Sequence, residues 1–267
     1  MLFFASPAHA EPAAGDGAVR FSVAVAPRPL TLPSLIVAPE AAFDVDRQGS
    51  AGDYGYLGIS ARAGITDDLE VHALVAPLQL WSPGVSTFRY GETTQNQGPA
   101  VGVRYRFVRG PVEVAADVTG RVYTVEYLSG GAIEPSVPVR IHATPFFRVD
   151  VVPTATFVVA TETATTPDRS ANAVRLHFPV TLLGDLSESF YLGMTTGLTI
   201  YDVSNTRNST GIPLGVLGGV AIPGPHGPVV DIGPYFTFPY LAMPGRAKET
   251  NTDQYVVGVN LTGYLYL

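Results

Sequence analysis

Charged side chains recur at every second position over much of this 267-residue chain, and apolar residues occupy the positions between them. Val101, Val103 and Tyr105, for example, alternate with Arg104 and Arg106. An alternation of period two is typical of a β-strand with one apolar and one polar face. The charged and histidine side chains on the polar face are Arg62, Arg104, Arg106, Arg121, Arg140, Arg148 and Arg175, with Glu40, Asp44, Glu70, Glu113, Asp117 and Asp231, and with His72, His142 and His177.

Two kinds of chemistry fit arginines and carboxylates that share one face of a sheet. They could form a structural network of ion pairs that lines or plugs a narrow interior. They could also form a charge-separated constriction that orients small polar solutes. The residues alone leave both alternatives open. The candidate lumen and constriction residues are Arg62, Glu70, His72, Arg104, Arg106, Glu113, Asp117, Arg121, Arg140 and Arg175.

Turn chemistry predicts which of these charges face each other. Arg109-Gly110 is typical of a two-residue hairpin turn, because glycine adopts the positive φ that such turns need. This turn places Arg106 opposite Glu113 and Arg104 diagonal to Asp117. Opposed residues have Cβ atoms about 4.5–5.5 Å apart, so we expect these pairs to form salt bridges.

The preceding turn makes a similar prediction. Thr66-Asp67-Asp68 forms a three-residue loop that places Arg62 opposite His72 and diagonal to Glu70. A slip of one residue would turn a charged side chain toward the apolar face, so we expect the register to be strongly held.

Motifs that carry catalysis are absent from the sequence. It has no G-x-S-x-G, no H-E-x-x-H and no phosphate-binding loop. It has no cysteine for a disulfide or a thiolate metal site. His142 and His177 could approach each other as a metal pair, but hydrogen-bonded wall histidines are far more common. We therefore predict no enzymatic activity, no cofactor and no metal site. The net charge of −7 argues against nucleic-acid binding.

Composition restricts the fold that must position these residues. Only 15% of the residues are charged, against about 25% in ordinary soluble domains. No window offers the ~20 consecutive apolar residues of a spanning helix, and the longest apolar stretch, 211–224, is broken by Gly and Pro. These features exclude a helical membrane bundle and leave a β-sandwich, a soluble β-barrel or a membrane β-barrel.

The period-two pattern predicts twelve strands. Most of them reach the ~9–11 residues that a tilted membrane strand requires. Their predicted ranges are 35–45, 54–65, 69–82, 99–108, 111–125, 136–148, 151–162, 173–183, 189–202, 212–222, 228–241 and 255–267.

The connections alternate in length. Short turns are predicted at 66–68, 109–110, 149–150, 185–188 and 223–227, and long polar loops at 46–53, 83–98, 126–135, 163–172, 203–211 and 242–254. Short turns at one end and long loops at the other are the layout of an outer-membrane barrel, with periplasmic turns and extracellular loops. The sequence therefore predicts an all-β protein: a closed antiparallel transmembrane β-barrel of about 12 strands over residues 35–267.

The whole pattern resembles a bacterial outer-membrane β-barrel protein of the porin-like type, as found in proteobacteria. Residues 28–33 (RPLTLP) and 64–71 (GITDDLEV) are similar to the segments that flank the first strands of such barrels. The last strand resembles their assembly signal, with Leu265 and Leu267 at its end. The resemblance implies location in the bacterial cell outer membrane, contact with outer-membrane lipids and lipopolysaccharide, and insertion by the barrel-assembly machinery.

The N-terminal residues precede the predicted barrel. Residues 1–10 end in a small-x-small site and are interpreted as the tail of a secretory signal peptide. Residues 11–34 include a short alternating run that could be a strand, but a thirteenth strand would make the count odd. We interpret them as a periplasmic or lumen-inserted segment that ends at Pro27, Pro29 and Pro33.

Three functions are compatible with this fold. The first is a passive or weakly selective channel for small polar solutes with a charged lumen, in which neutralising Arg104 and Arg106 shifts ion selectivity toward cations. The second is a structural or partner-binding subunit of a cell-envelope complex, with a plugged lumen and with extracellular loops that bind envelope proteins. The third, an outer-membrane hydrolase, lacks a supporting motif.

Overall fold

The protein is described by a computed structural model, which covers residues 21–81, 89–90, 99–125, 128–163, 174–200, 203, 210–244 and 250–267. The predicted signal-peptide residues 1–10 lie outside this range. No helix within it is long and apolar enough to cross a membrane. The strand segments are β1 (Ile36–Gln48), β2 (Asp53–Gly64), β3 (Leu69–Trp81), β4 (Arg89–Tyr90), β5 (Ala100–Val108), β6 (Val112–Val125), β7 (Leu128–Ser136), β8 (Val139–Thr144), β9 (Phe147–Val151), β10 (Thr154–Thr163), β11 (Val174–Asp185), β12 (Phe190–Ile200), β13 (Thr210–Gly224), β14 (Gly227–Ala242), β15 (Gln254–Gly263) and β16 (Leu265–Tyr266).

These segments form one closed antiparallel barrel of 12 strands with four extra segments, as predicted. Successive strands of the wall pair in sequence order, with β3 pairing with β5 past the short β4, and β1 closes the ring by pairing with β15 and β16. β7 and β8 together occupy one position in the wall, and β9 and β10 occupy the next. β4 is a short addition that pairs with β3 at the end that carries the longer loops.

The predicted boundaries of the sixth and seventh strands are wrong. Residues 128–135, predicted as part of a loop, belong to β7 and pair with β6, and the short turn lies at 145–146 rather than at 149–150. The wall is interrupted near Pro138 and Pro153, and the two breaks adjoin each other because the Val137 N–H donates to the Pro153 carbonyl at 3.0 Å. Proline lacks the N–H that a ladder needs. The Gly- and Pro-containing β7 therefore carries a weak strand pattern, and pairing with β6 decides its conformation.

Polarity is distributed in the reverse of the pattern found in a soluble protein. Apolar side chains such as Val101, Val118 and Val216 are 53–65% exposed on the outer surface. Charged side chains are buried inside, where Glu70 is fully buried and Asp117 is 5% exposed. A barrel satisfies all its backbone hydrogen bonds between strands, so an apolar outer face is compatible with a lipid environment.

The N-terminal segment lies inside the barrel at the end that carries the short turns. Residues 21–34 form no strand, yet Val25, Leu30, Thr31 and Leu32 are all buried. The segment runs along the inner wall from the β13–β14 turn to the start of β1. Its apolar side chains pack in two small clusters against the wall, one with Tyr264 and one with Leu183 and Ala221.

Candidate functional site

The charged wall begins on β2 and β3. Arg62 lies opposite His72, which confirms the register predicted from the intervening turn. The Arg62 Nε donates to Glu40 Oε1 at 2.7 Å, and its Nη1 lies 3.8 Å from Glu70 Oε2. A short turn fixes the register between the two strands that it joins, so the sequence alone could predict that Arg62 lies opposite His72.

The His72 side chain on β3 reaches past the neighbouring β5 to β6. Its Nε2 lies 3.0 Å from the Thr119 hydroxyl on β6, and Thr119 donates to Asp117 Oδ1 at 3.2 Å. Gly102 on the intervening β5 makes this possible, because a Cβ there would lie 2.3 Å from His72 Nε2 and 2.5 Å from Thr119 Oγ1. The glycine is therefore part of the wall's geometry.

The predicted register between β5 and β6 is wrong in detail. Arg106 lies opposite Ala115 rather than opposite Glu113, and Arg104 lies directly opposite Asp117 rather than diagonal to it. The pairing is irregular between Arg106 and Val108, where one residue bulges out. A two-residue turn would place Pro111 in the ladder, and proline has no N–H to contribute. The bulge and a wider turn replace that pair.

The ion pairs of this hairpin nevertheless form, since both arginines still face inward. Arg106 Nη1 donates to Glu113 Oε2 at 3.1 Å, and Arg104 Nε donates to Asp117 Oδ2 at 2.9 Å. The Arg104 Nη1 also lies 3.5 Å from Glu70 Oε1. A shift of two residues keeps a side chain on the same face of a strand. The sequence therefore predicted the face on which each arginine lies more reliably than the residue that lies opposite it.

The wall carboxylates accept hydrogen bonds from the backbone of segment 21–34. Each bond satisfies an N–H that has no strand partner, which a buried backbone requires. The bonds run from Leu30 to Glu113 at 2.7 Å, from Leu32 to Glu70 at 2.9 Å, and from Val25 and Ala26 to the two oxygens of Asp185 at 3.0 and 2.9 Å.

Cationic wall residues bind the carbonyls of the same segment. Arg140 Nη1 donates to the carbonyls of Arg28 and Pro29 at 2.9 and 2.7 Å. Its other two nitrogens donate to Asp150 at 2.7 and 2.9 Å, so the guanidinium is fixed from both sides. Arg148 donates to the Val25 carbonyl, and His142 Nδ1 lies 3.1 Å from the Ala26 carbonyl. Much of the predicted charged wall thus holds segment 21–34.

Arg28 anchors the segment on the opposite wall. Its Nη2 lies 3.1 Å from Asp231 Oδ1, and its Nη1 donates to the Tyr264 hydroxyl at 2.9 Å. The guanidinium also lies 5.2 and 5.3 Å from the ring centroids of Phe21 and Tyr264, within cation–π range. Nε and Nη2 donate back to the carbonyls of Ser22 and Val23, which folds the segment around the cation.

A cavity of about 250 Å³ lies in the lumen against this segment. Five arginines line it: Arg28, Arg62, Arg104, Arg140 and Arg148. Asp231 is the only carboxylate among the described lining residues. A second cavity of about 220 Å³ shares Tyr191, Gly233 and Asn260 with the first and is lined otherwise by Thr, Gly, Tyr, Val, Leu and Pro residues. The lumen therefore combines an arginine-rich wall with an uncharged one.

The remaining predicted residues lie elsewhere on the inner wall. Arg121 forms a bidentate pair with Glu134, from Nη2 to Oε2 at 2.9 Å and from Nε to Oε1 at 3.2 Å. Arg175 has a buried Nε that makes no hydrogen bond to the described residues. At the short turns, hydrogen bonds from Arg109 and then from Arg106 lower the pKa of the Asp68 carboxyl.

Several interacting residues were absent from the predicted site. Glu134 and Asp150 fell in segments assigned to a loop and a turn, and Asp185 fell at the start of a predicted turn. A correct boundary for the sixth strand would have placed Glu134 and Asp150 on the inner face. Arg28 carried no local signal, because its partners are up to 236 residues away in sequence.

Comparisons with known proteins identify the fold. The chain is similar to the NanC porin with a TM-score of 0.59 and 11% identity, over 86% of this chain and 100% of that one. A bacterial polysaccharide outer membrane secretin has a TM-score of 0.46 at 10% identity over 88% and 99%, and the Acinetobacter baumannii protein Omp33 has 0.43 at 10% over 87% and 100%. No protein-family model and no curated protein matches the sequence. The chain has the fold of a porin-like outer-membrane β-barrel.

Proposed function

We propose that the protein is a non-enzymatic channel of the bacterial outer membrane that passes small polar solutes and favours anions. Residues 21–34 narrow its periplasmic end. The observation that carries the proposal is the 250 Å³ lumenal cavity, which is lined by five guanidinium groups and one carboxylate. Rings of charged side chains at a constriction set ion selectivity in pores.

The outer surface supports the membrane location. Its exposed apolar side chains, Val103 and Phe107 among them, would contact outer-membrane lipids and the acyl chains of lipopolysaccharide. Leu265 and Leu267 at the end of the chain are also exposed, as expected for a last strand presented to the barrel-assembly machinery. The longer loops at the other end would be available to envelope protein partners.

Conductance in planar bilayers tests the channel. Purified wild-type protein should produce discrete current steps, and a potassium chloride gradient should give a reversal potential of the sign that indicates anion preference. Arg62→Gln removes a cavity charge and leaves Glu40 without its arginine, so the reversal potential should shift toward cations. Arg109→Gln removes the same charge from an exposed turn outside the cavity and should shift it little at high salt, where screening is strong.

The second candidate is the plugged structural or partner-binding barrel, which the lumenal segment favours. Both N–H and carbonyl groups of residues 25–32 are bound to the wall, as expected for a permanently seated plug. Absence of current steps from correctly folded wild-type protein would contradict the channel and support this candidate. Steps with an unchanged reversal potential in Arg62→Gln would contradict the selectivity only.

A further inference from the structure

The two lumenal cavities meet at shared residues. Tyr191, Gly233 and Asn260 line both the 250 Å³ cavity and the 220 Å³ cavity. On β14, Asp231 lines only the first cavity and Thr237 only the second, and they lie on either side of Gly233, with Asp231 nearer the short β13–β14 turn. The cavities therefore follow each other along the barrel, and the shared residues stand between them.

The shared residues have very small neighbours in the wall. Tyr191 lies opposite Gly219, Gly233 lies opposite Asn260, and Asn260 lies on its other side opposite Ala42 of β1. Directly opposed residues present their side chains on the same face of a sheet. Of these five residues, only Tyr191 and Asn260 carry more than a methyl group. These two side chains therefore project into space that their neighbours leave empty.

The Tyr191 ring extends across the wall toward Asn260. A Cβ at Gly219 or at Gly233 would lie 2.5 or 2.6 Å from the Tyr191 hydroxyl oxygen, so the ring reaches from β12 past β13 to β14. Its hydroxyl therefore ends beside Gly233, the residue opposite Asn260. Asn260 lines the lumen and is nevertheless exposed, as expected for a side chain in front of open space.

Segment 21–34 leaves this part of the lumen unbound. Its hydrogen bonds go largely to the charged wall, to Glu113, Asp185 and Arg140 among others. No described hydrogen bond joins the segment to Asn260 or to the glycines beside it. The open volume of both cavities lies on this uncharged side, so a solute that passes the segment must pass Asn260.

We propose that Tyr191 and Asn260 form the neck of the solute path and set the size of the largest solute that passes. The inference rests on the proposed channel function and adds the place at which solutes are sorted by size. A hydroxyl and an amide carry no charge, so this neck acts on volume and hydrogen bonding, whereas the arginines of the first cavity act on charge. Pore diameter and the polar groups that line it decide which solutes a channel accepts.

Thiol modification tests the neck, because the chain contains no cysteine. Asn260→Cys places one thiol there, and the uncharged reagent benzyl methanethiosulfonate adds bulk without adding charge. Modification during a planar-bilayer recording should remove most of the current. Leu261→Cys is the matched control, since the next residue along the strand is 43% exposed on the outer face. Its current should not change, and mass spectrometry records the modification of both variants.

Each outcome of this experiment decides the proposal. Wild-type current together with unchanged current in modified Asn260→Cys would overturn the neck and leave the channel standing. Resistance of Asn260→Cys to the reagent would do the same. Equal losses in Asn260→Cys and Leu261→Cys would show a general effect on the barrel and would also overturn the neck. Absence of current from folded wild-type protein would contradict the channel and the neck together.

Side-chain size measures the part played by Tyr191. Asn260→Trp should lower the conductance, whereas Leu261→Trp on the outer face should conduct like wild type. Tyr191→Leu should raise the conductance, because it removes the ring but keeps an apolar side chain against Leu183 and Ala221. In the double variant Tyr191→Leu/Asn260→Trp the missing ring makes room for the indole, so the conductance should recover toward the wild-type value. Such coupling is expected of side chains that border one space. A double variant that conducts as poorly as Asn260→Trp would overturn the assignment of Tyr191 to the neck.

Discussion

Replacing Asp185 with alanine should loosen the first half of segment 21–34 from the barrel wall. The Asp185 carboxylate accepts two backbone N–H groups, from Val25 at 3.0 Å and from Ala26 at 2.9 Å. No other described residue bonds to that carboxylate, so the substitution acts on the segment and leaves the wall's other ion pairs intact. The variant therefore isolates one attachment point of the segment.

The size of the effect follows from the chemistry of the two bonds. A hydrogen bond to a charged group contributes about 1.5–3 kcal/mol net. Asp185 is only partly buried, so the lower end applies, and two bonds amount to about 3 kcal/mol. Every 1.4 kcal/mol is tenfold in an equilibrium constant, so the open population at Val25 should rise about 100-fold.

Thiol labelling measures that population, because the chain contains no cysteine. Val25→Cys introduces one thiol at a buried position of the segment, where a membrane-impermeant maleimide reaches it only after local opening. Asp185→Ala in this background should label about 100-fold faster than the parent. Asp44→Ala is the control, since Asp44 bonds to Tyr235 and not to the segment.

The outcome that refutes the reasoning is equal labelling in the parent and in Asp185→Ala. It would mean that the remaining contacts of the segment hold Val25 without Asp185. Equally fast labelling in Asp44→Ala and Asp185→Ala would show that any lost lumenal charge loosens the barrel, and would also refute the specific role of Asp185.

Three further predictions concern the barrel itself. Val103→Arg places a charge on the lipid face and should destabilise insertion by about 2–4 kcal/mol. Thr195→Arg places the same charge in the lumen and should assemble normally. Heat-modifiable gel mobility measures the assembly of both variants. Gly64→Ala would put a Cβ 2.0 Å from the Pro33 carbonyl oxygen, so amide exchange at Leu32 and Ser34, whose N–H groups bond to Glu70 and Asp67, should accelerate relative to wild type. Unchanged exchange would contradict the close approach. The lowered pKa of Asp68 means that its carboxylate stabilises the fold above the unfolded pKa of about 3.9, and that this stabilisation is lost as the pH falls through the lower native pKa. The difference in unfolding free energy between wild type and Asp68→Asn should therefore shrink in acid. A difference that stays constant with pH would contradict the lowered pKa.

Local geometry explains what could be read from the sequence. Side chains alternate across a strand, so the period-two pattern was enough to place Arg62, Arg104 and Asp117 on the inner face. A short turn carries register to the next strand, so it was also enough to place Arg62 opposite His72. Strand number and the sorting of short and long connections followed from the same local signals and predicted the closed barrel.

Local signals failed where proline and glycine interrupt the ladder. β7 has a weak strand pattern, and only its pairing with β6 keeps it in the wall. The partner of Arg106 in the ladder changed for a related reason, because Pro111 has no N–H to contribute and a bulge forms instead.

The lumenal segment and its attachment were decided by tertiary structure alone. The bonds from Val25 and Ala26 to Asp185 join residues about 160 positions apart, and those from Arg28 to Asp231 join residues 203 apart. No turn or periodicity relates such positions, since they meet only when the barrel closes around the segment. The sequence by itself therefore determined a barrel with a charged interior, whereas closure decided that much of this charge holds residues 21–34.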